Sequence, residues 1–261
     1  MSEREIKIGL FGAGNVGKHL LAAFRKAPNV NIVGLWNRHP GKWKAVAGDI
    51  PVVDTPEQMP VADIFILALK DDVLTDFSAH LKGRNVLTVH TSGAMASDVL
   101  QTERKGVFYP LQTFVPGSAV EWESIPLLVW APDARDLQLL QDLAVRISKN
   151  VHVIDDSQRA QLHVAAVFTA NFTNAMMQMA KEITGKAHIP YELLIPLARR
   201  NFYNILSHDP AEVLTGPARR GDRKTIEKHL QLLQENGLYD EAEIYRRVTE
   251  WIVKRYKKSG K

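Results

Sequence analysis

The chain has 261 residues, 45% of them hydrophobic and 24% charged, which are ordinary globular values that exclude disorder, collagen and low-complexity repeats and predict one large domain or two ordinary ones. The net charge is +4, with 16 basic and 17 acidic residues up to residue 155 and 17 and 12 beyond it. Five of the later bases are Lys254, Arg255, Lys257, Lys258 and Lys261, which reads as a solvated tail and not as a nucleic-acid surface, where charge clusters on a folded face among aromatics.

The absence of cysteine excludes disulfides, thiolate metal sites and a cysteine nucleophile. The opening MSEREIKIGLFG is neither a secretory nor a transit leader. The longest apolar stretches, such as Ile64 to Leu69, fall short of the roughly 20 residues of a membrane helix. A soluble, cytoplasmic protein without membrane or nucleic-acid partners is expected.

From residue 6 to about 155, short apolar runs alternate with helical stretches. The predicted strands are Ile6 to Phe11, Val30 to Trp36, Ile64 to Leu69, Asn85 to Val89, Ile125 to Trp130 and Val151 to Ile154. Runs apolar throughout suit strands buried on both faces, so this half is read as α/β with a doubly wound parallel sheet.

Gly12-Ala13-Gly14-Asn15-Val16-Gly17 follows the first strand and precedes a helical stretch from Lys18 to Lys26. The first glycine permits a tight turn, the second lets a pyrophosphate approach the backbone, and the third lets helix and strand pack closely. The helix N-terminus offers unpaired N–H groups to the anion. In this strand-turn-helix setting the pattern predicts a Rossmann dinucleotide site.

The second strand ends in Asn37-Arg38-His39, with Asn37 lying 20 residues past Gly17. NAD sites usually place Asp or Glu there for the ribose 2′-OH, whereas Arg38 offers a guanidinium fork to a 2′-phosphate, so NADP(H) is the expected cofactor. The competing reading of Arg38 and His39 is a solvated loop. Leu69 ends the third predicted strand and Lys70 follows it, where this fold keeps its ligands. Lys70 and Asp71 suit a cofactor contact and a helix start equally.

The next strand delivers His90-Thr91-Ser92-Gly93-Ala94. Ser92 is either a donor to a substrate carbonyl or carboxylate, or a helix cap. Tyr109-Pro110-Leu111-Gln112-Thr113-Phe114 either lines a substrate pocket or forms a strand edge with a turn.

Beyond Asp155 the strand signals stop, and the remainder reads as an all-α second domain over 156–261, beginning with a long helix from Ser157 to about Lys186 that is apolar nearly all round. Asp222 caps a further amphipathic stretch ending at Gly237, and a last helix runs from about Tyr239 to Tyr256. In the long helix His163 and Asn171 stand among apolar neighbours; in α geometry they lie about 80° apart and roughly 12 Å along the axis. His163 is either a satisfied core residue or the proton donor that reduction of C=O or C=N requires. Arg219 and Arg220 in Leu214 to Asp222 are either surface arginines or a clamp for a substrate carboxylate. No His, Asp or Glu spacing suggests a metal, and no nucleophile elbow is present.

Together, GAGNVG, Asn37-Arg38, HTSGA, YPLQTF, HVAAVFTAN at His163 to Asn171 and LTGPARRGD at Leu214 to Asp222 resemble, over nearly the whole chain, a family of bacterial Rossmann-domain proteins labelled NADP oxidoreductases whose C-terminal halves form a domain of unknown function. More distantly the architecture is similar to pyrroline-5-carboxylate reductases, deazaflavin-dependent NADP reductases and β-hydroxyacid dehydrogenases. The resemblance implies a Rossmann domain over 1–155 and an all-α C-terminal domain of the 6-phosphogluconate dehydrogenase type that often forms a homodimer. It also implies hydride transfer to or from a small polar substrate, with catalytic roles for His163, Asn171, Ser92 and Arg220 and cofactor contacts from Gly12, Gly14, Asn15, Val16, Gly17, Asn37, Arg38, Leu69 and Lys70. The β-hydroxyacid dehydrogenases carry a catalytic Lys followed four residues later by Asn; here His163 has Val167 at that spacing and Asn171 at eight, so that mechanism does not transfer. The rival functions are a non-catalytic NADP(H)-binding sensor or interaction protein, since fold does not imply chemistry, and, last, a methyltransferase using adenosylmethionine.

Overall fold

The apolar runs become strands of one eight-stranded sheet: β1 (Ile6–Phe11), β2 (Val30–Trp36), β3 (Val52–Val53), β4 (Ile64–Leu67), β5 (Leu87–His90), β6 (Lys105–Pro110), β7 (Leu127–Trp130) and β8 (Val151–Val153). The computed structural model describes residues 4–256, so Lys257, Lys258 and Lys261 of the basic tail lie outside the described residues. The spatial order is β3-β2-β1-β4-β5-β6-β7-β8. Neighbours run parallel except β6 and β7, which are antiparallel.

β4 shows why the runs are apolar throughout. Successive strand residues point to opposite faces; Ile64 and Ile66 join one core layer with Leu20, Phe24 and Trp43, while Phe65 and Leu67 join the other with Phe11, Met59 and Leu74. A strand covered on both sides has no polar face to show, as parallel sheets require.

Two strands escape that criterion. β3 has only two residues. β6 opens on Lys105-Gly106 and ends on Pro110, leaving too short an apolar run between; Gly106 is there because a Cβ would stand 2.5 Å from the Trp130 carbonyl oxygen of β7.

β1 lies between β2 and β4, so the chain leaves it in one direction through β2 and β3 and returns to its other side at β4. Crevices of doubly wound sheets form at the C-terminal ends of strands where the order reverses. Here that point is the end of β1 and β4.

The chain divides into two compact units, 1–170 and 171–261, a division at 170/171 where the sequence places it at 155/156. Helix Asp156–Ala166 is counted with the first unit. It begins at Asp155, whose carboxylate accepts the Gln158 N–H at 2.8 Å while the Gln158 side chain accepts the Asp155 N–H at 3.3 Å, a reciprocal cap. A six-residue π-helical stretch, Val167–Phe172, separates it from helix Thr173–Lys186. The 80° separation expected of His163 and Asn171 assumed unbroken α geometry, and the π turns remove that basis.

The described residues of the second unit contain helices and no strand, chiefly Thr173–Lys186, Ile195–Ser207, Arg223–Glu235 and Tyr239–Tyr256. Asp222 caps Arg223–Glu235 by accepting the Thr225 N–H at 3.2 Å. The buried nucleus is small, Leu233, Leu238 and Ala242, and Leu193, Leu197, Tyr203, Leu206 and Trp251 are exposed. No helix among the described residues is long and apolar enough to cross a membrane.

Candidate functional site

The glycine turn grows out of β1. Gly12 takes φ +100°, and a Cβ there would lie 2.2 Å from the Ala68 carbonyl oxygen just past β4; a Cβ on Gly17 would lie 1.9 Å from the Gly12 carbonyl oxygen. These two glycines are needed by the protein itself. Gly14 is different: a Cβ there meets nothing within 4 Å, so its backbone fronts open space. It is the N-cap of helix Asn15–Phe24, with no side-chain cap and no acidic residue in the first turn. The helix therefore presents its N–H groups and positive dipole end without an internal anion to occupy them.

The side chains of this region divide between holding the turn and lining the crevice. Asn37 accepts the Ala13 N–H at 3.0 Å and donates to the His39 carbonyl at 3.0 Å, so its amide fastens the turn to the end of β2. Asn15 donates to the Phe114 carbonyl at 3.1 Å and so latches the loop after β6 onto the helix; His19 Nδ1 and Nε2 lie 2.7 and 3.2 Å from the Asn15 and Ser118 carbonyl oxygens, and a ring with one N–H donates to one of the two. Val16 packs against the core. Beside the turn is a cavity of about 600 Å³ lined by Asn37, Arg38, His39, Lys42, Leu69 and Lys70, among others. Arg38 and Lys42 make one edge of it cationic, Asp72 and Asp76 also line it, and Arg38 is exposed. Lys42 was not singled out in the sequence; it lies four residues past Arg38, in the short helix Gly41–Lys44.

The turn after β5 is built on buried hydrogen bonds. Ser92 Oγ accepts the N–H groups of Ala94 and Met95 at 3.2 and 3.1 Å, closing a turn and not capping a helix, since the next short helix, Ser97–Val99, starts from Ala96. His90 is fully buried, its Nδ1 accepting the Ser92 N–H and its Nε2–H donating to the Ala96 carbonyl, each at 3.2 Å. Those bonds suit a neutral ring. Burial, with the Arg159 guanidinium nearby, pushes its pKa down to about 4.

An acid dependence follows. The unfolded chain takes up a proton at His90 near pH 6.5 while the folded chain refuses it until about 4, so stability falls as pH is lowered through that window, by on the order of 3 kcal/mol in all. Chemical denaturation between pH 7 and 4 should show this slope, and His90→Asn should flatten it. An unchanged slope in the variant would place the titrating group elsewhere.

Arg159 is a residue that sequence reasoning passed over. It is completely buried, donates from Nη1 to Asp156 Oδ1 at 2.7 Å and from Nη2 to the Met95 carbonyl. Asp156 Oδ2 accepts the Ser97 N–H and hydroxyl at 2.9 and 2.8 Å. Burial raises the Asp156 carboxyl, but the Ser97 N–H, the guanidinium and the Ser97 hydroxyl together outweigh it and hold its pKa below the ordinary value. The available signal was spacing: Arg159 precedes His163 by four residues and so shares its helix face.

His163, half-buried, stands beside the same turn. Its Nδ1 is 3.0 Å from the Tyr109 hydroxyl, with the rings at 73° and 5.9 Å between centroids. A Cβ on Gly93 would lie 2.4 Å from that nitrogen and 2.8 Å from Tyr109 Cζ. The structure thus brings together His163, Ser92 and two residues outside the expected catalytic set, Tyr109 and Gly93. Asn171 and Arg220 lie in the second unit, Asn171 exposed in the π-helical stretch and Arg220 exposed at the end of the short helix Pro217–Arg220. Among the described residues, no group of three or more His, Cys, Asp or Glu is placed to hold a metal ion.

Fold, turn and cleft define a nucleotide-binding protein of the Rossmann class with an all-helical C-terminal part. Residues 125–252 match the family model "Domain of unknown function (DUF2520)". A "putative NADP oxidoreductase" from Bacteroides fragilis is 30% identical over 96% of this chain and 98% of its own, with a TM-score of 0.85. The chain belongs to that family. An imine reductase from Myxococcus stipitatus, solved with NAD+, shares the fold at 15% identity and TM-score 0.61 over 97% of this chain and 100% of that one. So does a reductive aminase from Aspergillus terreus, solved with NADPH and ethyl-5-oxohexanoate, at 13% identity and TM-score 0.69 over 98% and 95%. No curated protein matches the chain.

Proposed function

We propose that the protein is an NADP(H)-dependent oxidoreductase that reduces, or in reverse forms, a C=O or C=N bond of a small polar substrate. The observation that carries this reading is the open backbone at Gly14 beside a cleft whose edge holds Arg38, His39 and Lys42. A pyrophosphate fits the first, because no Cβ and no capping side chain fills it. A 2′-phosphate fits the second, because the end of β2 carries a cation and no carboxylate. Asn37 serves this site by holding Ala13 in place. NADPH, when bound, supplies a hydride. His163 supplies the proton to the substrate oxygen or nitrogen, a role open to a histidine.

Titration calorimetry with NADPH and NADH tests the cofactor, and turnover of carbonyl and imine substrates tests the chemistry. NADPH should bind more tightly, and Arg38→Ala should weaken it about 10- to 100-fold toward the NADH value, as loss of a charge-assisted hydrogen bond implies. NADH affinity should stay level. His163→Ala should lower turnover about 100-fold or more while leaving NADPH affinity unchanged. Failure to bind either dinucleotide would overturn the reading; binding with an unchanged rate in His163→Ala would remove that residue from the chemistry.

A further inference from the structure

We propose that Tyr109 is the positioning residue of His163: its hydroxyl donates to Nδ1, keeps the imidazole proton on Nε2, and depends on the absence of a side chain at residue 93. The proposal rests on reading His163 as the proton donor.

Three observations carry it. Tyr109 sits in β6 with its backbone fixed by antiparallel pairing to Leu128 of β7, so its ring departs from a rigid sheet. Its hydroxyl is at hydrogen-bond distance, 3.0 Å, from Nδ1. Gly93 abuts both partners, and a methyl group there would overlap Nδ1 at 2.4 Å. The glycine of the HTSGA motif thus has a specific duty, which is to let the Tyr109 hydroxyl and the imidazole meet.

The chemistry follows from the inventory of donors. A neutral imidazole carries one N–H and one bare nitrogen. Burial raises the pKa of the Tyr109 phenol, the Arg159 charge opposing, so the hydroxyl keeps its proton through the neutral range and can give the hydrogen bond. Nδ1 then accepts and Nε2 bears the hydrogen. When Nε2–H passes its proton to a substrate atom that has taken a hydride, Nδ1 takes the Tyr109 proton, so no imidazolate is left; solvent then re-protonates the phenol and restores the Nε2–H tautomer, the net step consumes one solvent proton, and Tyr109 undergoes no net change. Its role is to select the tautomer and aim the ring, as a second group orients the base in other proton-transfer sites.

Long-range 1H–15N correlation spectra of 15N-labelled full-length protein read the tautomer without any substrate, the His163 signals being those lost in His163→Gln. The wild type should show His163 with Nε2 protonated. Tyr109→Phe, which removes one oxygen and keeps the ring, should lower the Nε2–H to Nδ1–H ratio about fivefold, the factor for a net hydrogen bond of about 1 kcal/mol. Gly93→Ala should do the same where it folds. A wild-type ring protonated on Nδ1, or a ratio unchanged in Tyr109→Phe, overturns the proposal. The two readings fail separately: an unaltered rate in His163→Ala would end the catalytic role of His163 while leaving the tautomer result in place.

Discussion

Gly12→Ala should lower stability by about 4 kcal/mol and abolish NADPH binding, and Gly17→Ala should follow it closely. A methyl group at residue 17 would be driven to 1.9 Å from the Gly12 carbonyl oxygen, and one at residue 12 to 2.2 Å from the Ala68 carbonyl oxygen. Both obstacles are backbone, which cannot rotate aside as a side chain does. Overpacking of this kind costs about 1–3 kcal/mol or more, and Gly12 adds about 1–3 kcal/mol because its φ of +100° is foreign to a residue with a Cβ. Gly14→Ala is the discriminating control. Its methyl group meets no protein atom within 4 Å, so melting should be unchanged while NADPH affinity falls at least tenfold. If Gly14→Ala bound NADPH normally, the pyrophosphate would not be passing that point.

Removing the charge of Arg159 should be the second large effect. The guanidinium is completely buried and joins Asp156 and the Met95 carbonyl, so Arg159→Met leaves a carboxylate and a carbonyl without their donor. Breaking a buried pair from one side costs about 3–5 kcal/mol. Because the Asp156 side chain keeps 27% exposure and both Ser97 donors, the lower figure applies, or roughly 10 °C in melting temperature at about 2–4 °C per kcal/mol for a chain of this size. The double variant Arg159→Met/Asp156→Leu should recover part of the loss, since it leaves no buried charge unpaired. A change of less than about 3 °C in the single variant would show that the pair is not holding the turn after β5.

The fold was legible where one physical requirement dominated. β1 and β2 were predicted to the residue because each is an apolar run broken only by one exposed polar residue near its start, Lys7 and Asn31. β6 was not, because its demands conflict: it starts at a half-buried basic residue, needs Gly106 for close approach of β7, and ends at Pro110. The glycine turn was readable because backbone sterics and phosphate access both ask for glycine in one short stretch. The surroundings of His163 were less so. Tyr109 and Gly93 come from two different strand ends, and only the sheet order places them beside it. Asn37 carried a third lesson: its position marks the cofactor end of β2, yet its amide is spent on the Ala13 N–H and the His39 carbonyl, a duty that no spacing rule announces.

The reversal of direction between β6 and β7 gives the chain one long surface excursion, residues 111–126, where a parallel partner would have demanded a helical crossover. That excursion meets helix Asn15–Phe24 where the Phe114 carbonyl accepts from Asn15, where the Phe114 ring packs on His19, and where the Ser118 carbonyl lies 3.2 Å from His19 Nε2. Leu111 and Pro126 at its ends still bond each other at 2.9 Å and Ile125 is buried, whereas residues 115–119 are exposed and lie outside the strand pairing. Residues 115–119 are therefore where relatives with different substrates have room to vary in length and composition, so long as Asn15 still finds the Phe114 carbonyl.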